Sequence, residues 1–204
     1  MIAIIDYGVG NLKSIENAIR FNNDNVRVEV VSEADKLKDY SKIILPGVGA
    51  FGDAIEKIRG KNFDEAIAEE VGKGKYLLGI CLGMQLLATA GFEYGERKGL
   101  NLIEGNVINI KEIADNLPVP HIGWNEVEFL RDDKLLSGIQ NKSDFYFVHS
   151  YFLNCAHRGD ILGTTKYGAE FPSMVNRENI YGVQFHPEKS QQAGLVLVRN
   201  FVEL

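Results

Sequence analysis

Gly79-Ile80-Cys81-Leu82-Gly83 has the form Gly-x-nucleophile-x-Gly. Between a strand and a helix, such a turn lifts its central side chain clear of the backbone. The flanking glycines remove the side chains that would collide there. Tyr76 to Ile80 reads as a buried strand and Leu82 to Ala90 as the helix after it, so the context suits the turn. At that helix N-terminus the dipole and free N–H groups favour a thiolate at Cys81. The N–H of Leu82 then faces a developing oxyanion. The competing reading is a buried structural cysteine, the common fate of a free Cys.

Near the C-terminus, Gln184-Phe185-His186-Pro187-Glu188 follows a strand expected over Ile180 to Phe185. In extended chain, positions i and i+2 project to one side. His186 and Glu188 can therefore meet, and Pro187 biases His186 toward extended geometry. This suits a general base held by an acid: Glu188 orients the ring, and His186 takes and returns the thiol proton. A Cys and a His-x-Glu at two strand ends have the logic of a catalytic triad. The competing reading is a surface loop with a helix-capping acid.

The elements that must position these groups alternate in the first half. Ile2 to Ile5, Val26 to Val31, Lys42 to Leu45 and Tyr76 to Ile80 read as strands. Leu12, Ile15 and Ile19 mark one helix, and Phe51, Ile55 and Ile58 a second. Asn62 with Glu65 resembles a capping box opening a third, with Phe63, Ile67 and Val71 inward. This rhythm predicts an α/β fold with a mostly parallel sheet flanked by helices. The second half is strand-rich: Val107 to Ile110, Glu126 to Phe129, Phe145 to Val148, Ile161 to Lys166 and Ile180 to Phe185. Antiparallel pairing is expected for some of these. A final helix follows Ser190, with Leu197, Val198 and Phe201 inward. No linker or repeat divides residues 1–204, so one domain with a mixed sheet is expected.

Composition narrows the function classes. A net charge of −6 without a Lys/Arg block argues against nucleic acid or an acidic membrane surface as partner. The apolar stretch from Leu77 to Phe92 is too short and too broken to span a bilayer. Met1 to Asp6 has no secretory pattern. Two cysteines, Cys81 and Cys155, make no disulfide framework, so a reducing cytoplasm is expected.

Leu45-Pro46-Gly47-Val48-Gly49, Gly79-Ile80-Cys81-Leu82-Gly83-Met84-Gln85 and Gln184-Phe185-His186-Pro187-Glu188-Lys189-Ser190 stand in that order. Together they resemble the class I, triad-type glutamine amidotransferases, with their flavodoxin-like fold. Asp6-Tyr7-Gly8-Val9-Gly10-Asn11-Leu12, Pro120-His121-Ile122-Gly123-Trp124-Asn125 and Phe147-Val148-His149-Ser150-Tyr151 are similar to further motifs of one branch, the glutaminase subunits of imidazole glycerol phosphate synthases. The resemblance spans essentially the whole chain. It implies Cys81, His186 and Glu188 as the triad, and Val48 or Gly49 as a second oxyanion donor beside Leu82. It implies that Gln85 and the backbone near Ser150 and Tyr151 hold the amino-acid end of glutamine. It also implies a heterodimer with a (β/α)8 cyclase that receives ammonia, with His121, Gly123, Trp124 and Asn125 near the interface. No metal or organic cofactor is required.

Three rivals bear on this reading. Gly47-Val48-Gly49-Ala50-Phe51-Gly52 matches the dinucleotide fingerprint, but the acids about 20 positions on, Glu69 and Glu70, fall in an expected helix rather than at a strand end. His121, His149, His157 and His186 are too widely spaced for a metal site read from sequence. For His149 the alternatives are a place at the border of the site or a structural packing or hydrogen-bonding role, and the second is the expectation. A non-catalytic binding subunit would not need Cys81, His186 and Glu188 together. Within the enzyme class, the alternative is a paralogous glutaminase feeding a different synthase, for example in amino-sugar or surface-polysaccharide biosynthesis.

Overall fold

Ile2–Ile5 (β1) is buried along its whole length, as expected of a strand covered on both faces. It pairs in parallel with Val28–Val31 (β2) and Lys42–Leu45 (β3). Tyr76–Ile80 (β4) continues the parallel half beside β3. The computed structural model describes residues 1–22, 26–114 and 116–204. The helices of this half are Leu12–Asn22 (α1), Phe51–Gly60 (α2), Phe63–Gly72 (α3) and Leu82–Leu86 (α4).

Downstream come Ala90–Gly91 (β5), Arg97–Lys98 (β6), Gly105–Asn109 (β7), His121–Phe129 (β8), Ser143–His149 (β9) and Tyr151–Cys155 (β10). Ile161–Tyr167 (β11), Ala169–Arg177 (β12), Ile180–Val183 (β13) and the helix Gln191–Glu203 (α5) complete the chain. The main sheet has the order β2-β1-β3-β4-β13-β12-β11-β8-β9. Strand β13 is the junction: parallel to β4 on one side and antiparallel to β12 on the other. A second sheet, β10-β7-β5-β6, caps one face. Its Val107 and Leu153 share an apolar cluster with Ile5, Leu45 and Leu77, so both sheets belong to one domain. The opposite face packs under α1 and α5, where Ile15, Ile19, Leu197, Val198 and Phe201 are buried.

Several elements depart from the sequence reading. The helix expected from Leu82 to Ala90 stops at Leu86. The carbonyls of Leu86, Leu87 and Ala88 accept from the N–H groups of Leu100, Leu102, Ile103 and Asn101, so a returning loop takes over the end of the helix. The capping box at Asn62 is absent. Asn62 has φ 58° and its side chain makes no cap bond, because its N–H still closes the end of α2 on Arg59 O. One left-handed residue thus ends one helix and admits the next. Strand β12 escaped the sequence reading because Pro172 interrupts it. Pro172 pairs with Thr164 of β11 only, since pairing with β13 begins at Met174.

Candidate active site

Cys81 sits between β4 and α4 with φ 54° and ψ −113°. A non-glycine residue in such a region stores about 1–3 kcal/mol of strain. The surroundings enforce it. A Cβ on Gly79 would lie 2.7 Å from Gly83 O, and one on Gly83 would lie 1.8 Å from Leu45 O. Only glycine allows the elbow to press this closely on the end of β3. Helix α4 has five residues, about one and a half turns. Its aligned dipole is therefore small, and the nearby unpaired N–H groups matter more than the sequence reading assumed. The N–H of Leu82, in the first turn, has no preceding helical carbonyl to meet.

His186 follows β13, the parallel neighbour of β4. Ile80 pairs with Val183, and Cys81 N–H donates to Val183 O at 2.8 Å. The His186 ring is buried. Its Nδ1 bonds Glu188 Oε1 at 2.9 Å, and its buried Nε2 has no hydrogen-bonded nitrogen or oxygen among the described residues, which leaves Cys81 as its interacting neighbour. With Nδ1 facing a carboxylate, Nε2 is the nitrogen left for chemistry. Burial alone would lower the pKa of His186. Cys81 and Glu188 together outweigh that effect and raise it above the ordinary 6.5, favouring the imidazolium. Ser190 braces the loop: its Oγ donates to His186 O at 2.6 Å and accepts from Tyr146 N–H at 2.9 Å. His186 N–H donates to Tyr146 O at 2.9 Å.

Cys81, His186, Val48, Gly49, Leu82, Gln85, Ser150 and Tyr151 all line one cavity of about 320 Å³. That is the lower end of the roughly 300–1,000 Å³ typical of small-molecule sites. A larger groove of about 940 Å³, lined by Asp132, Asp133, Lys134 and Arg199, is shallow and polar and has neither a cysteine nor a histidine in its lining. Gly49 has φ 96°, so its loop takes a path that side-chain-bearing residues avoid. Tyr7, buried below, donates its hydroxyl to Pro46 O at 2.9 Å and steadies that loop. Burial raises the Tyr7 pKa, with Cys81 adding to the rise, so the phenol keeps its proton. Glu93, Pro120 and Val148 also line the cavity. Glu93 went unseen because only the small sheet brings it here, where its carboxylate accepts the Phe51 N–H at 2.8 Å.

Gln85 does not lie loose in the cavity. Its Nε2 donates to Tyr151 O at 2.8 Å and to Gln184 Oε1 at 3.1 Å. Gln184, fully buried, donates from Nε2 to Cys81 Sγ at 3.8 Å. His149 lines the cavity and also bonds Tyr151 O through Nδ1 at 2.9 Å, so both roles weighed for it hold. Of the four residues expected near a partner, Trp124 is 46% exposed beside Ile122 at 60%. Gly123 and Asn125 are half-buried. His121 instead points inward, because residues along β8 alternate; its ring stacks between Phe147 and Tyr167. Cys155 is a half-buried free thiol away from the cavity. Burial raises its pKa to about 12, which leaves it protonated and inert.

The dinucleotide reading fails on geometry. Glu69 and Glu70 lie within α3, and Glu70 is buried against Lys73 and Lys75. A Cβ on Gly47 would lie 2.7 Å from Tyr7 Oη and 2.9 Å from Leu82 Cβ, so close packing inside the protein accounts for this glycine without a nucleotide. Among the described residues, no group of three or more His, Cys, Asp or Glu side chains is arranged to hold a metal ion. None of the described helices is long and apolar enough to cross a membrane.

The family model for class-I glutamine amidotransferases matches residues 3–204. Among curated proteins, the imidazole glycerol phosphate synthase subunit HisH of Salinibacter ruber is 45% identical over all of this chain and 94% of its own length. The subunit of the same name from Methanocaldococcus jannaschii is 46% identical, with both chains fully covered. Among solved structures, a glutamine amidotransferase superposes with TM-score 0.76 at 20% identity, over 100% of this chain and 98% of that one. The glutaminase domain of Trypanosoma brucei CTPS with bound acivicin gives TM-score 0.65 at 17% identity, over 99% and 93%. The last two speak for the fold, the first three for descent: the chain belongs to the class-I glutamine amidotransferase family, in the branch of the imidazole glycerol phosphate synthase HisH subunits.

Proposed function

We propose that this chain hydrolyses glutamine to glutamate and ammonia through Cys81, His186 and Glu188, and passes the ammonia to a (β/α)8 cyclase bound as a heterodimer, which makes imidazole glycerol phosphate and AICAR. The reading rests on one arrangement: a strained cysteine and an acid-braced histidine facing the same small cavity. Sγ attacks the side-chain amide carbon, and the carbonyl electrons move onto oxygen. The N–H groups of Leu82 and of Val48 or Gly49 receive that oxyanion. Nε2 of His186 gives its proton to the departing nitrogen, ammonia leaves, and a glutamyl thioester remains. Water attacks the thioester and yields a proton to Nε2, and glutamate departs with release of Sγ. Glu188 keeps the ring aligned and stabilises the imidazolium. These steps call for no metal or organic cofactor.

The exposed Ile122 and Trp124, with Tyr146 packed edge-on to Trp124 at 6.0 Å, supply an apolar patch for the cyclase. This patch borders Val148 and Pro120 at the cavity rim. A reducing cytoplasm suits two free thiols. The test is coexpression with a (β/α)8 cyclase, copurification, and a glutaminase assay with and without the cyclase's ribonucleotide substrate. Stimulation by that substrate and its loss in Cys81→Ala are expected. A glutamine-analogue electrophile that leaves Cys81 unlabelled, together with full activity in Cys81→Ala, would refute the enzyme reading. Turnover that the cyclase substrate does not stimulate would point to a different synthase.

A further inference from the structure

Behind the cavity wall, two carbonyl oxygens fix the direction of a hydrogen-bond chain from opposite ends. A carbonyl oxygen can only accept. At one end, Tyr151 O accepts from His149 Nδ1, so that nitrogen carries the proton and Nε2 of a neutral ring does not. His149 Nε2 lies 3.0 Å from His121 Nδ1, which must therefore donate. His121 Nε2 is then an acceptor, and it lies 3.3 Å from Asn125 Nδ2. At the other end, Asn125 Nδ2 donates to Lys166 O at 3.0 Å, and Asn125 Oδ1 accepts from Glu126 N–H, which orients this amide independently. The two ends demand the same polarity, so every contact in the chain is satisfied. Burial lowers the pKa of His121 to about 4 and of His149 to about 3, which keeps both rings neutral as the chain requires.

The same Tyr151 oxygen also orients the other side. It accepts from Gln85 Nε2, whose second hydrogen goes to Gln184 Oε1, and this turns Gln184 Nε2 toward Cys81 Sγ. We propose that His121 and His149 are positioning residues: in fixed Nδ1–H tautomers they hold the Tyr151 carbonyl, and through Gln85 and Gln184 they aim an amide N–H at the reacting sulfur. Asn125 lies on β8 next to exposed Trp124, so the chain runs from the proposed docking face to the thiol. A shift of β8 on binding a partner changes the donor offered to Sγ through His149, Tyr151 and Gln85, which stand in the cavity wall.

The proposal rests on the glutaminase reading only in taking Cys81 as the reacting group, and its tests need no turnover. Long-range proton–nitrogen correlations on the ¹⁵N-labelled full chain at neutral pH report both tautomers. Nδ1–H on His121 and on His149 is expected, and Nε2–H on either ring overturns the chain. Iodoacetamide alkylation, resolved by peptide mass spectrometry to separate Cys81 from Cys155, reads the coupling. His149→Phe and Gln184→Leu should each slow Cys81 labelling by about tenfold, the weight of one hydrogen bond. The double variant should be no slower than the slower single. Unchanged labelling in His149→Phe, or a double effect near the product of the two at about a hundredfold, overturns the coupling. His149→Asn keeps a donor for Tyr151 O and should label near the wild-type rate; labelling as slow as His149→Phe overturns it too. Loss of glutamine turnover with tautomers and labelling as expected would sink the glutaminase reading alone.

Discussion

Ser190→Ala removes a brace rather than a reacting group. Ser190 is 1% exposed, and its hydroxyl joins His186 O at 2.6 Å to Tyr146 N–H at 2.9 Å. Each lost bond is worth about 1 kcal/mol net, and a part-buried N–H left without an acceptor adds about 1 kcal/mol more. The expected destabilisation is roughly 2–3 kcal/mol. For a chain of this size that lowers Tm by about 4–12 °C. The remaining tie, His186 N–H to Tyr146 O, leaves the loop attached but free to rock. A displacement on the order of 1 Å at the base costs up to about a hundredfold in rate. Thermal melting and steady-state glutaminase kinetics, with the proposed cyclase bound, measure both. A melting point that falls as expected while kcat stays at the wild-type value would refute the positioning argument. Wild-type values of both would show that these bonds contribute nothing.

Further outcomes follow from the elbow and the buried imidazoles. Because Cys81 has φ 54° and ψ −113°, Cys81→Gly should be more stable than Cys81→Ala by about 1–2 kcal/mol, the reverse of the usual order; urea midpoints decide it, and the ordinary order would show the elbow is unstrained. Gly83→Ala places a Cβ 1.8 Å from a backbone oxygen, so a loss above about 4 kcal/mol or failure to yield soluble protein is expected, and near-native stability would be inconsistent with the close approach. His121 and His149 have folded pKa values below the unfolded 6.5. Their contribution to stability is present above about pH 6.5 and is lost as pH falls toward 4 and then 3, because the unfolded chain binds those protons first. Urea midpoints should drop between pH 7 and pH 5, less steeply in His149→Phe; equal slopes would contradict burial as the cause.

The clustering of Cys81, His186 and Glu188 was legible because its signals are local. Glycines flank Cys81 at fixed offsets, and His186 and Glu188 stand two apart in extended chain, where geometry follows from spacing alone. The parallel half was legible because fully buried strands such as Ile2–Ile5 are continuous apolar runs. What escaped depended on distant chain. The end of α4 is set by Leu100–Ile103, and the silent Asn62 by the helix before it. The inward turn of His121 follows from where β8 begins, a register that Val148 and His149 on β9 fix. Gln184 carries no sequence mark beyond its place before the histidine, and its bond to Sγ exists only once β13 lies beside β4.

That adjacency has a bearing on how the protein would lose its chemistry. Cys81 and His186 hang from neighbouring strands at the centre of the large sheet, in a register running from Leu77 and Ile180 to Ile80 and Val183. Their separation is thus inherited from a central ladder of backbone bonds, the kind expected to open late in native-state exchange. Loops at the rim can fray and the face around Ile122 and Trp124 can be remodelled while Cys81 and His186 keep their distance. Heat inactivation should then track the opening of this ladder rather than any earlier, local event. Amide exchange at Leu78, Ile80 and Val183 would read that opening directly.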